Sequence, residues 1–120
     1  MAMIEPVDGG GVGVPHTEGP KIELLRGDYN DESAITFVLK DEDHTLGNSL
    51  RYLLMKNPAV AFCGYSLPHP SEYKVNLRIQ TDGSITAVQA LHKALDDLTE
   101  LSEHISSTFV EKVDAFSANQ

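Results

Sequence analysis

After Gly83 the chain holds neither glycine nor proline to its last residue, Gln120, and within that stretch Val88, Leu91, Leu95, Leu98, Ile105 and Phe109 recur at helical steps. Ser102 is the one polar break in the series, with Leu101 beside it. Such spacing is the seam of a single helix in heptad rhythm. A helix running from about Ser84 to Phe116 is roughly 50 Å long at 1.5 Å per residue, longer than a domain of this size is wide. Part of its apolar stripe therefore overhangs whatever the rest of the chain builds, and an overhanging apolar stripe needs a cover. The alternative is a long helix lying wholly on its own four-stranded sheet, against which the length argues. A second polypeptide is the expected cover.

The preceding residues supply the sheet. KIELL at 21–25 reads as a strand, GDYNDES at 27–33 as an acidic connector, and AITFVLK at 34–40 as a second strand with Ile35, Phe37 and Leu39 on one face. Leu46, Leu50, Leu53 and Leu54 then fall at i, i+4, i+7 and i+8 of a helix whose Asn48, Arg51 and Lys56 look outward. Asn57-Pro58 stops that helix, because the residue before proline is pushed out of the helical region. VAFCGYSL at 60–67 is a third strand, apolar on both faces, and PHPSEY a proline-punctuated loop. KVNLRIQ at 74–80 alternates Val75, Leu77 and Ile79 with polar residues, giving one core face and one wet face. TDG makes a turn, and Ser84 is the expected N-cap of the last helix. The fold class is α+β, in the order strand-strand-helix-strand-strand-long helix.

Residues 1–20, MAMIEPVDGGGVGVPHTEGP, show no apolar period and read as a disordered tail, leaving 21–120 as the folded domain. GGGVGVP lacks the preceding strand of a phosphate loop, and Pro15 interrupts the helix that would receive the phosphate. The formal charge is −9, and the nine bases are scattered rather than clustered, which argues against direct nucleic-acid contact. Cys63 is the only cysteine, so neither an intramolecular disulfide nor a cysteine-based zinc site can form. With no signal-peptide pattern and no apolar run long enough to span a bilayer, a soluble intracellular protein without membrane contact is expected.

The letters DEDH at 41–44 match those of two-metal exonucleases, but successive side chains point apart and cannot all converge on one ion. They are better read as a helix start, with Asp43 or Thr45 capping free amides at the positive end of the helix dipole. His16, His44, His69, His92 and His104 show no metal-ligand spacing. Neither catalytic residues, nor metal ligands, nor a cofactor site is expected. Gly47, in the first turn of the helix, costs up to about 1 kcal/mol relative to alanine, so either another backbone passes close by or the position is simply forgiving.

DHTLGNSLRYLLMKNPAV followed by FCGY, PHPSE and NLRIQT resembles the small alpha-like subunit shared by eukaryotic RNA polymerases I and III. That family also includes the eleventh subunit of polymerase II, archaeal subunit L and the bacterial alpha N-terminal domain. The likeness runs from about Lys21 to the C-terminus, and the FCGY and NLRIQT wording favours the I/III member. The resemblance implies a bacterial alpha-like dimerisation fold, a heterodimer with a larger alpha-like subunit, and a platform for the large catalytic subunits in the nucleus and nucleolus. It implies an interface at or beneath Leu46, Gly47, Leu50, Leu53 and Leu54 of the first helix and Val88, Leu91, Leu95, Leu98, Leu101, Ile105 and Phe109 of the last. The alternatives are the polymerase II or archaeal counterpart, and a self-associating coiled-coil adaptor that uses the same seam.

Overall fold

A computed structural model describes residues 19–25 and 31–120. Of the expected tail only Gly19 and Pro20 are included, and residues 26–30, which take in the first four residues of the connector, also lie outside the described residues. Six elements follow in order: β1 (Ile22–Leu25), β2 (Ala34–Lys40), α1 (His44–Met55), β3 (Val60–Ser66), β4 (Lys74–Thr81) and α2 (Ala87–Ala118). The strands form one antiparallel sheet in the order β1-β2-β4-β3.

Register explains the core. Ile35 pairs with Ile79, Phe37 with Leu77 and Leu39 with Val75, while Cys63 and Tyr65 on β3 oppose Ile79 and Leu77. Directly paired residues share a face, so these side chains form one apolar surface, onto which Leu50 and Leu54 of α1 and Leu91 of α2 pack. The opposite face is mixed, with Arg78 donating from Nη1 to Thr36 Oγ1 across the strands at 3.3 Å.

Two features depart from the sequence expectations. The pairing of β3 with β4 shifts by one residue between Val60 and Phe62, so Val60 and Cys63 both turn inward and Ala61 and Phe62 both turn out. That bulge leaves Phe62 about half exposed on a strand expected to be covered on both faces. The second concerns the start of α2. Asp82 Oδ1 accepts from the Ser84 backbone N–H, and Thr81 Oγ1 donates to the Ile85 carbonyl, so Ser84 belongs to the turn rather than the helix. Thr86 is the N-cap, in a reciprocal capping box with Gln89: Gln89 N–H donates to Thr86 Oγ1 and Thr86 N–H to Gln89 Oε1.

The face that α2 lays on the sheet is built largely from Ala87, Ala90 and Ala94, all buried, which let the helix backbone come close. The leucine spacing alone did not reveal these alanines.

Candidate partner interface

Beyond Leu98 the long helix leaves its own sheet. From Thr99 to Gln120 every residue is exposed except Thr108, which is half-buried. Leu101, Ile105, Phe109, Val113 and Phe116 nevertheless keep the helical step. At 100° per residue all five lie within about 60° of the direction of Leu98, so the face that packs on the sheet continues without a break as a solvent-facing apolar stripe. Glu100, Glu103, Glu111 and Asp114 lie within about 40° of the opposite direction. The overhang is amphipathic, and its apolar side is left as open to solvent as its acidic one.

At the root of the overhang α1 crosses α2. A groove of about 240 Å³ is lined there by Asn48, Ser49, Tyr52, Leu53, Leu98 and Leu101. A larger groove, about 900 Å³, runs between the Lys56–Ala59 turn and α2, with Leu53, Pro58, Ile85 and Leu101 among its apolar lining and Lys93, Asp97 and His104 among its polar lining. Leu53 and Leu101 line both. The Lys56 ammonium sits 4.5 Å from the centroid of the Tyr52 ring, and Lys93 is paired with Asp97 at 2.7 Å, one turn on.

The residues singled out from the sequence divide into three groups. Gly47, Leu50, Leu54 and Leu91 are buried in the chain's own core, with Leu50 at 0 % exposure, and they present no surface to a partner. Leu46, Leu53, Leu95 and Leu98 are half-buried against that core. Val88, Leu101, Ile105 and Phe109 are open. Tyr52, Met55, Val110, Val113 and Phe116 are also open and do not belong to the set named from the sequence. For Val113 and Phe116 the signal was present, since they continue the same steps past Phe109.

The acidic stretch ahead of α1 does not assemble into a site. Glu42 pairs with Lys21 at 2.9 Å, and Asp41 sits at a positive φ of 58°, a conformation aspartate tolerates. Asp43 is the N-cap, its Oδ1 accepting the Thr45 N–H at 2.9 Å. Thr45 is therefore a first-turn residue that donates to the cap and is not the cap itself. Among the described residues no group of three or more His, Cys, Asp or Glu side chains is placed to hold a metal ion. Burial pushes the Cys63 thiol up to about 11, against a weaker opposing pull from Arg51, so it is no nucleophile at neutral pH. No helix among the described residues is long and apolar enough to cross a membrane.

The first turn of α1 is held by an aromatic ring. His44 Nδ1 lies 3.1 Å from Tyr65 Oη, the two rings meet edge to face with centroids 5.7 Å apart, and Gly47 passes directly under the tyrosine. A Cβ on Gly47 would stand 2.7 Å from Tyr65 Cδ2. The close neighbour is thus a side chain rather than the second backbone considered from the sequence.

Residues 34–108 match the family model described as the RNA polymerase Rpb3/Rpb11 dimerisation domain. The DNA-directed RNA polymerases I and III subunit RPAC2 of Schizosaccharomyces pombe is 56% identical over 93 residues, covering 78% of this chain and 74% of its own. The subunit of the same name from Danio rerio is 50% identical over 95 residues, covering 79% and 85%. Among solved structures, DNA-directed RNA polymerase subunit L from Thermoplasma acidophilum superposes with a TM-score of 0.67 over 82% of this chain and 94% of that one, at 18% identity, a likeness of fold.

Proposed function

The chain belongs to the RNA polymerase Rpb3/Rpb11 dimerisation-domain family, and from that membership we propose that it is the small alpha-like subunit of RNA polymerases I and III. It pairs with the larger alpha-like subunit of those enzymes, and the heterodimer is the platform on which the large catalytic subunits assemble for ribosomal, 5S and transfer RNA synthesis. It works in the nucleus, the nucleolus included, and contributes architecture rather than a reactive group.

The observation that carries this reading is the unbroken apolar face of α2, covered as far as Leu98 and bare from Leu101 to Phe116. Magnitudes decide how the partner sits. Covering the exposed parts of Leu101, Ile105, Phe109, Val113 and Phe116, whose exposures run from 41% to 68%, is worth on the order of 10 kcal/mol at roughly 25 cal/mol per Å² of apolar surface. Association alone costs roughly 4–15 kcal/mol in lost freedom of motion. The two are comparable, so the stripe by itself leaves little surplus, and the elbow of Tyr52, Leu53 and Leu98 is taken as part of the same contact, with the partner covering both. A fold built like this one can do so reciprocally, laying its own long helix across the elbow.

Affinity purification of the tagged chain from nuclei tests the assignment. The largest subunits of polymerases I and III are expected with it, together with one common larger alpha-like subunit. Recovery of the polymerase II largest subunit instead would transfer the chain to that enzyme, and recovery of a homodimer alone would favour the self-associating adaptor.

A further inference from the structure

We propose that Tyr65 is a positioning residue for the partner surface: with Gly47 and His44 it fixes the height and tilt of α1, and so sets where Leu53 and Tyr52 stand against α2. The inference rests on the pairing role argued above.

Its basis is the local geometry. Gly47, Leu50 and Leu54 form the face of α1 that lies on the sheet, and all three are buried. Leu50 and Leu54 touch the core through long side chains that can adjust, whereas Gly47 meets Tyr65 with no side chain at all. Ordinary contact begins at 3.4 Å, so a methyl group at Gly47, which would lie 2.7 Å from Tyr65 Cδ2, requires about 0.7 Å of movement by the helix or the ring. The ring is poorly placed to yield. It stands on the core face of β3 opposite Leu77, and its hydroxyl is within hydrogen-bond distance of His44 on the same helix. The helix is left to move.

Leu53 lies six residues along α1, about 9 Å at 1.5 Å per residue. A lift at the first turn thus tilts the stretch that meets Leu98 and Leu101, and both grooves at the elbow include Leu53. The contact least able to deform controls the surface that the partner reads.

A double-mutant cycle on the complex tests this, using the purified larger alpha-like subunit as the probe and the dissociation constant as the readout. Gly47→Ala in the wild-type background is expected to weaken pairing by about tenfold or more. On a Tyr65→Leu background, where the ring is gone, adding Gly47→Ala is expected to change affinity by less than about threefold. Leu39→Ala, a core change on β2, two strands away from Tyr65, serves as the stability control: it lowers the unfolding temperature of the complex while holding affinity within about threefold. Equal losses from Gly47→Ala in both backgrounds, no loss in the wild-type background, or losses that follow unfolding temperature alone across all variants would each overturn the proposal. Failure of the wild-type chain to bind the larger subunit would instead overturn the pairing role beneath it.

Discussion

Leu91 and Phe109 lie eighteen residues apart, about five full turns, on the same face of α2, yet Leu91 is 5% exposed and Phe109 68%. One helix face therefore meets two environments, the chain's own core and, beyond Leu98, an open surface that the proposed partner would cover. Phe109→Asp places an unpaired charge in that second contact, which costs several kcal/mol and is expected to weaken pairing by about a hundredfold or more. Glu103→Gln, on the opposite side of the same helix, is expected to leave affinity within about threefold. Titration calorimetry of the two variants against the larger alpha-like subunit separates these outcomes.

Without its partner the chain should not be a well-behaved monomer. Light scattering of the isolated protein at micromolar concentration is expected to show polydisperse association, resolving to a 1:1 species once the larger subunit is added. A stable, monodisperse homodimer would point to the self-associating adaptor.

Asp43→Ala removes the cap of α1 and is expected to cost about 0.5–2 kcal/mol. For a domain of this size that is a fall of several degrees in the unfolding temperature of the heterodimer, at roughly 4 °C or more per kcal/mol. Transcription by the assembled enzyme at permissive temperature should be unchanged. Loss of activity at unchanged stability would restore a chemical role to the acidic stretch.

Much of this was legible before any coordinates. The alternation of Val75, Leu77 and Ile79 marked β4, and Asn57-Pro58 marked the end of α1, because both signals are local: a pleat of period two and a steric clash between neighbours. The overhang was legible from length alone. What escaped depends on contacts distant in sequence. Ala87, Ala90 and Ala94 carry too little side chain to stand out in a leucine seam, although small size is what lets α2 approach the sheet. The bulge at Ala61 depends on pairing with β4, and the need for glycine at 47 arises from Tyr65, eighteen residues later. The burial of the residues named on the first helix was illegible for a related reason. Periodicity finds the apolar face of a helix without saying whether its own chain or another covers it, so it does not separate Leu50 and Leu54, which lie in the chain's own core, from the half-buried Leu46 and Leu53.

Cys63 gives a pH-dependent prediction. Its thiol rises from 9.0 to about 11 on folding, chiefly through loss of solvent, so the folded state favours the protonated form. The corresponding stability is fully present below pH 9 and is lost as pH rises from about 9 to 11, a loss on the order of 2 kcal/mol. Cys63→Ala should flatten that part of the stability profile of the heterodimer. The native thiol should resist alkylation at pH 8 until the protein is unfolded, followed by mass spectrometry.

Hydrogen–deuterium exchange tests the pairing surface most directly, comparing the chain alone with the chain bound to the larger alpha-like subunit. The helix from Leu101 to Phe116, having no tertiary cover of its own, is expected to exchange quickly when free and to become protected on pairing, together with Asn48–Leu53 of α1, while the Thr36–Arg78 face of the sheet stays as it was. Unchanged exchange across Leu101–Phe116 in a complex shown to be 1:1 would mean that the partner sits elsewhere, and the overhanging stripe would not be the interface.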